Sequence, residues 1–223
     1  MNRIDDLGNG YKIIQNPDSF CFGTDSVLLS DFAVAKYNQV VVDLCSGNGI
    51  IPILLCAKTR AEHITGIEIQ KSSFDLAVQS IELNNLQDRV SFINDDLKNA
   101  LNHFKSGSVD VITCNPPYML AGSGFENNCD SKTIARHEVM VTIDDIASIS
   151  SKLLKFGGKI YMVHRCDRLC DVLCALRKYN LEPKRLQMIH PHVNDAPNLF
   201  LVEALSGGNP SLKLEKPVYM YKE

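Results

Sequence analysis

From residue 39 onward the chain alternates short, almost wholly apolar runs with longer stretches whose apolar residues recur every three or four positions. Residues 40–44, 63–69, 90–93 and 109–114 are the apolar runs. They predict buried strands, because a strand covered on both faces has no polar side to show. Residues 50–58, 72–85 and, more briefly, 97–104 carry a helical period, with Phe74, Ala77, Val78 and Ile81 on one face of the second. Pro52 is tolerated in a first helical turn, where no N–H is needed. Repeated strand–helix–strand units predict an α/β fold with a mostly parallel, doubly wound sheet.

Beyond residue 140 the pattern resumes. Residues 142–155 read as a helix, started by the Thr142/Asp145 pair and ended by Gly157-Gly158. Residues 159–164 read as a fifth strand and 166–179 as a helix. Residues 182–190 and 198–205 read as an antiparallel pair closing the sheet.

The two ends of the chain and one internal stretch depart from this rhythm. Residues 7–15 alternate around Asn9-Gly10, a hairpin signal, and residues 27–37 form an apolar-periodic run with Thr24 or Asp25 as its cap. The organisation expected is a hairpin and helix packed on the core (1–38), one α/β domain (39–206) and a surface tail (207–223). Residues 119–139 have no periodicity and are too many for an idle connection in a compact domain. They predict a substrate-facing loop, with a disordered insertion as the alternative.

Composition agrees with a single globular domain: 223 residues, 45% hydrophobic and 22% charged. No apolar stretch reaches the length of a membrane span and the first residues lack a signal core, so the expectation is a cytoplasmic protein with no membrane partner. The net charge of −3 is unevenly spread. Residues 1–150 carry 11 Lys/Arg against 19 Asp/Glu, whereas residues 151–223 carry 12 against 7. A basic C-terminal third is compatible with a polyanionic partner and equally with ordinary solvated helices. Eight cysteines without a Cys-x-x-Cys pair read as reduced thiols. Cys166, Cys170 and Cys174 would share one helical face; buried thiols on a core-facing stripe are the expectation, a metal site the alternative. No metal is expected elsewhere.

The candidate chemistry sits at strand ends. Asn115-Pro116-Pro117-Tyr118 follows the fourth apolar run, and two prolines force one stiff, extended exit from the strand. That exit offers an amide, carbonyls that no local N–H can easily use, and an aromatic face. They suit a planar ligand carrying an NH₂ group. The first strand ends Asp43-Leu44-Cys45-Ser46-Gly47-Asn48-Gly49, whose glycines permit a sharp turn and close approach to a ligand. Glu68 ends the second strand, where an acid can accept from two ribose hydroxyls. Asp95 and Asp96 follow the third, able to accept from an adenine amino group or simply to cap a helix. A pyrophosphate would be repelled by Asp43, and the G-x-G-x-x-G spacing is absent, so three acidic strand ends favour a cationic nucleoside cofactor.

In that order, Asp43, Gly47 with Gly49, Glu68, Asp96 and the Asn115–Tyr118 tetrad resemble the motifs of S-adenosylmethionine-dependent methyltransferases that modify planar amino groups. Phe22-Gly23-Thr24-Asp25 and Ala135-Arg136-His137-Glu138 further resemble one bacterial branch, the tRNA (adenine-N6)-methyltransferases acting on the purine beside the anticodon of a valine tRNA. The resemblance spans roughly residues 7–205. It departs at Cys45, where most relatives of this fold have Gly.

The resemblance implies a Rossmann-like class I methyltransferase fold: a mostly parallel seven-stranded sheet with one antiparallel strand, plus a short N-terminal hairpin. It implies S-adenosyl-L-methionine as cofactor and S-adenosyl-L-homocysteine as product. Thr24, Asp25, Asp43, Cys45, Gly47 and Gly49 would hold the cofactor from one side, and Glu68, Ile69, Asp95, Asp96, Leu97 and Asn115 from the other. Asn115, Pro116, Pro117 and Tyr118 would be catalytic. Asn115 Oδ1 and the Pro116 carbonyl would accept the amino protons and Tyr118 would stack on the base. The implied partner is the anticodon loop of tRNA, with no obligate protein partner. Arg136 and His137, with Lys152, Lys155, Arg165, Arg168, Lys184 and Arg185 from the basic third, are candidates for gripping RNA, though each singly is more often a plain surface charge.

Rivals keep the cofactor and change the acceptor to a guanine or adenine of ribosomal RNA or a protein glutamine. Another rival drops catalysis and leaves an RNA-binding module.

Overall fold

The computed structural model describes residues 2–8, 10–17, 22–118 and 141–221. Strands β1 (Arg3–Asp6) and β2 (Lys12–Gln15) pair antiparallel as the expected hairpin, and Asn9 of its turn lies outside the described residues. The hairpin is tied to helix α3 (Lys71–Leu83). Ser80 Oγ accepts from Ile14 N at 3.0 Å, and Asn84, just past the helix, bonds both the N–H and the carbonyl of Lys12.

The main sheet is built from β3 (Val40–Leu44), β4 (His63–Glu68), β5 (Val90–Asn94), β6 (Val109–Cys114), β7 (Leu154–Arg165), β8 (Leu181–His190) and β9 (Leu199–Ser206). Across the sheet they lie in the order β8-β9-β7-β6-β3-β4-β5, and β9 alone runs antiparallel to its neighbours. These are the seven strands the resemblance implies. Two two-residue strands, β10 (Lys213–Leu214) and β11 (Val218–Tyr219), add parallel pairing along the outer edge of β8 and cover much of that edge. Pro183 lacks an N–H and sits where the β8–β9 register shifts, so it interrupts no ladder bond the sheet needs.

Helices α1 (Thr24–Phe32), α2 (Ile50–Lys58) and α3 lie over one face of the sheet, α4 (Ile143–Leu153) and α5 (Leu169–Lys178) over the other. Strand residues divide between the two layers with period two. Val41, Val111, Tyr161 and Val163 enter the first layer, and Val42, Leu44, Ile112, Cys114, Ile160 and Met162 enter the second. Burial on both faces is why the strands read as unbroken apolar runs. The chain steps from β3 outward to β4 and β5, then returns to the far side of β3 with β6. That reversal opens a crevice at the carboxyl ends of β3 and β6.

Four local expectations are corrected. Helix α1 starts at Thr24 and ends at Phe32 instead of spanning 27–37; Gly23 is its cap, and Val34 and Tyr37 are left exposed at 49% and 72%. The backbone turns extended at Ala33, which ends the helix there. The 97–104 helix is a 3-10 turn over Leu97–Asn102.

The capping box of Thr142 and Asp145 is present, but Gly157-Gly158 does not end α4. The helix stops at Leu153 and β7 begins at once. Gly157, at φ +78°, lets β7 bend through the register shift against β6, and a Cβ on Gly158 would stand 3.1 Å from the Asp110 carbonyl. The three cysteines do not form one core-facing stripe: Cys166 precedes α5 and packs half-buried against the core. Cys170 and Cys174 are exposed, because α5 buries Val172, Ala175 and Leu176 instead. Among the described residues no cluster of His, Cys, Asp and Glu could hold a metal, and no helix is long and apolar enough to cross a membrane.

Candidate active site

The crevice is floored by the turn after β3. Cys45, Gly47 and Gly49 all adopt positive φ, at 58°, 56° and 85°. Cys45 therefore holds the left-handed conformation that would favour glycine. The two glycines do different work. A Cβ on Gly49 would lie 2.5 Å from Phe92 Cζ and 3.1 Å from Ala77, so this glycine lets α2 pack on the sheet. A Cβ on Gly47 would meet nothing within 4 Å, so its face borders open space.

Acidic groups ring that space at two depths. Asp43 is fully buried under the turn. Its Oδ1 accepts from Thr113 Oγ1 at 2.6 Å, and its Oδ2 has no hydrogen-bond partner among the described residues. Burial lifts its carboxyl to about 7, with the Thr113 bond opposing and the charge of Glu68 adding to the rise. Glu68, also buried, accepts from Gly47 N at 2.7 Å and from Gln70 N at 2.8 Å, one bond to each oxygen. Burial pushes its carboxyl up and those N–H groups pull it back. Each Glu68 oxygen keeps acceptor capacity facing the crevice end of β4.

The pair after β5 divides its duties. Asp95 is consumed locally: it accepts from Asn99 Nδ2 and Asp96 N and meets His103 Nε2 at 2.7 Å, and the bonds from Asn99 and His103 hold its carboxyl below the usual range. Asp96 is the N-cap of the 3-10 turn, with Oδ1 accepting from Lys98 N, and its other oxygen makes no hydrogen bond among the described residues. Leu97 is buried in the core.

Two further features match a purine nucleoside with a charged tail. Ile69 stands 44% exposed beside Glu68, an apolar face at the strand end, and Asn48 Nδ2 is buried without a partner. The residues present thus fit a nucleoside: an apolar wall, spare carboxylate acceptors, an unused amide donor and a glycine face a Cβ would fill.

The tetrad hangs over the same crevice from β6. Asn115 Nδ2 donates to Ser26 Oγ at 2.9 Å and to Asp25 Oδ2 at 3.1 Å. The Tyr118 hydroxyl lies 2.9 Å from Asp25 Oδ2 and 2.8 Å from Asn115 Oδ1, with one proton to share between them. Burial, and then the charge of Asp25, push the Tyr118 phenol well above its ordinary value, so it stays protonated. Thr24 opens α1 beside this network.

Pattern reading missed Ser26 and His164. His164 ends β7 nearly buried; its ring meets Tyr118 edge-on at 5.4 Å and stacks on Phe200 at 6.4 Å, while Nδ1 accepts from Arg165 N at 2.8 Å. Burial and the nearby Arg168 guanidinium keep it neutral by lowering its pKa. The signal was present: a lone polar residue closing an apolar strand at the site end of the sheet.

The basic residues scatter. Arg165 ends β7 at the crevice end and Arg168 follows it, ion-paired with Asp167 and Asp171 respectively. Lys152 lies at the opposite rim, where its carbonyl accepts from Gly107 N, and Lys155 pairs with Asp110 nearby. Lys184 bonds the Asn209 carbonyl. Arg185 is locked into the sheet by Glu203 and Glu215, with its guanidinium 4.3 Å over the Phe32 ring. Arg136 and His137 lie outside the described residues.

A doubly wound sheet with one antiparallel strand and acid-tipped parallel strands around a glycine turn defines the class I methyltransferase fold. A predicted O-methyltransferase of Agrobacterium tumefaciens superposes with a TM-score of 0.71 at 19% identity, covering 88% of both chains. A geranyl diphosphate C-methyltransferase of Streptomyces coelicolor, solved with S-adenosyl-L-homocysteine, superposes at 0.63 with 13% identity, over 82% of this chain and 80% of that one. The chain belongs to the family described as "Methyltransferase small domain", which it matches over residues 11–173.

It is also similar to proteins named tRNA1(Val) (adenine(37)-N6)-methyltransferase. That of Aeromonas hydrophila is 26% identical over 160 residues, 71% of this chain and 65% of that relative's length. That of Phocaeicola vulgatus is 27% identical over 184 residues, 81% of this chain and 74% of the relative. Acceptors as different as oxygen and carbon on one fold mean that the substrate has to be argued from the site.

Proposed function

We propose that the protein transfers a methyl group from S-adenosyl-L-methionine to the exocyclic N6 of an adenine in tRNA, in the anticodon loop of a valine tRNA. The observation carrying this reading is the Asn115 amide. Both its N–H groups are engaged by α1, so Oδ1, met by the Tyr118 hydroxyl at 2.8 Å, is the atom that can accept from an incoming amino group. The names of the similar proteins support the nucleic acid and the base.

Glu68 and Asp96 would accept from the ribose and the adenine amino group of the cofactor, Ile69 would cover its purine, and Gly47 would allow the backbone close to its tail. Asp43, from beneath, would add negative potential toward a sulfonium. When bound, S-adenosyl-L-methionine supplies an electrophilic methyl and leaves as the neutral thioether S-adenosyl-L-homocysteine.

An adenine amino group is a weak nucleophile because its lone pair is delocalised into the ring. Asn115 Oδ1 and the Pro116 carbonyl would accept its two protons, turn the lone pair toward the methyl and stabilise the charge growing on nitrogen. Tyr118 would stack on the base and hold it in line. The nitrogen lone pair so aimed would take the methyl, and one proton would then leave the nitrogen for water, so no strong base is required. A loop nucleotide costs little to unstack, which favours an anticodon loop over a duplex. Arg165 and Arg168 are the cations suited to its phosphates. The same reading puts the protein in the cytoplasm and asks for no membrane or obligate protein partner.

The test is mass spectrometry of nucleosides from bulk tRNA, rRNA and protein, each incubated with this protein and isotope-labelled cofactor. Label in N6-methyladenosine of tRNA is expected; label confined to rRNA or to glutamine would move the assignment to that acceptor. Asn115→Ala is expected to abolish transfer while cofactor binding stays near normal.

A further inference from the structure

Asp25 and Asn115 are 90 positions apart, yet they form one unit with Ser26 and Tyr118. An asparagine amide has two nearly isosteric orientations, and only its hydrogen-bond partners choose between them. Here one N–H of Asn115 goes to a carboxylate and the other to a hydroxyl, both from the first turn of α1. Reversing the amide would set Oδ1 against Asp25 Oδ2, two acceptors with no proton between them. The carboxylate makes that orientation costly, and charge-assisted bonds are the stronger kind.

The Tyr118 hydroxyl is governed by the same oxygen. It has one proton and two acceptors, Asp25 Oδ2 at 2.9 Å and Asn115 Oδ1 at 2.8 Å. Donation to the charged Asp25 leaves Oδ1 with its lone pairs open. As an amino group approaches Oδ1, the phenol proton has a better place to go, and the ring stays anchored. A neutral side chain at position 25 would remove that preference and leave Tyr118 competing with the substrate for Oδ1.

We propose that Asp25, with Ser26, is a positioning residue that fixes the Asn115 amide with Oδ1 toward the acceptor and holds the Tyr118 hydroxyl off that oxygen. This rests on the methyl-transfer reading above. It also gives Asp25 a task other than cofactor contact, since its Oδ2 already faces the tetrad. The Phe22-Gly23-Thr24-Asp25 motif acquires a physical reason: an extended Gly23 starts α1 so that its first-turn acid points at β6.

The test has two arms. In a ¹⁵N spectrum, the Asn115 side-chain amide is identified by its loss in Asn115→Ala. Slow solvent exchange is expected for it, with a clear shift and faster exchange in Asp25→Asn and in Ser26→Ala; an unmoved signal in both variants overturns the proposal. In the kinetic arm, Asp25→Asn is expected to lower kcat by about 10²-fold with the cofactor Kd changed by less than about 2-fold, as displacement of a reacting partner does. Weakened cofactor binding with kcat intact overturns it and makes Asp25 a cofactor ligand. Should the unaltered protein methylate no tRNA, the functional reading fails, and the amide signal still decides whether Asp25 holds Asn115.

Discussion

The hydroxyl of Thr113 donates to Asp43 Oδ1 at 2.6 Å, joining β6 to β3 directly beneath the crevice. The second oxygen of that carboxyl has no hydrogen-bond partner among the described residues. Burial prevails over that bond, and Asp43 titrates near 7.

The sign of the resulting pH dependence follows from linkage. In the unfolded chain Asp43 loses its proton near 3.9 and in the folded protein near 7, so between those values the folded state binds more protons. Stability contributed by the protonated carboxyl is full below about pH 4, falls as pH rises, and levels off above about 7, with a slope of up to about 1.4 kcal/mol per pH unit. Urea unfolding from pH 4 to 8 should show Asp43→Asn losing less stability than the unaltered protein across that window. Parallel profiles would rule the shift out. Glu68 is raised as well and acts in the same direction in both proteins, so the difference reports Asp43 together with its electrostatic coupling to Glu68.

Glu68 offers the strongest handle on cofactor binding. Removing its carboxylate deletes the proposed ribose acceptors and leaves the Gly47 N–H without its partner. Glu68→Ala should weaken S-adenosylmethionine binding by roughly 10- to 100-fold, the worth of one or two charge-assisted hydrogen bonds. Titration calorimetry reads this, and an unchanged Kd would place the ribose elsewhere.

The two turn glycines should separate stability from binding. Gly49→Ala puts a methyl 2.5 Å from Phe92 at φ +85° and should destabilise the fold by about 2–4 kcal/mol, overpacking added to left-handed strain. Gly47→Ala meets no atom, so about 1–2 kcal/mol of backbone strain is expected. The new methyl would stand in the cofactor's space and weaken its binding. Thermal unfolding with and without cofactor distinguishes the two.

Thiol accessibility should follow the outward pair of cysteines. Cys170 and Cys174 are exposed on α5, whereas Cys56 and Cys114 are buried and burial raises both their thiols. Maleimide labelling mapped by mass spectrometry should modify the first pair in minutes and the second only on unfolding. Early labelling of Cys114 would mean that the β6 core opens readily.

Much of this fold was legible because its signals are local. Runs such as 40–44 and 109–114 have no polar face, so they could only be strands covered on both sides. The Thr142/Asp145 box needs only four residues to declare a helix start. Failures came where a distant partner decided. Gly157-Gly158 looks like a helix end until β6 demands a register shift beside it. Cys170 and Cys174 share a helical face, but periodicity cannot say which face meets the sheet when Val172, Ala175 and Leu176 offer a more apolar one. Ion pairing is equally hidden from the sequence, since Arg185 reads as a free cation until Glu203 and Glu215 enclose it.

By itself the sequence determined the strand–helix order, the acid at each strand end and the stiff exit at Asn115-Pro116-Pro117-Tyr118. Each depends on hydrophobic period or on the fixed φ of proline, which neighbours in the chain suffice to impose. Tertiary structure decided what those residues face. It buried Asp43 beyond a ligand's reach, spent Asp95 on His103 and Asn99, gave Gly49 to Phe92 and Gly47 to open space, and brought Asp25 to Asn115. Apart from the short-range bonds of Asp95, such pairings join positions roughly 40 to 90 apart, and orientation and protonation follow from burial and partner charge, which exist only once the sheet has closed.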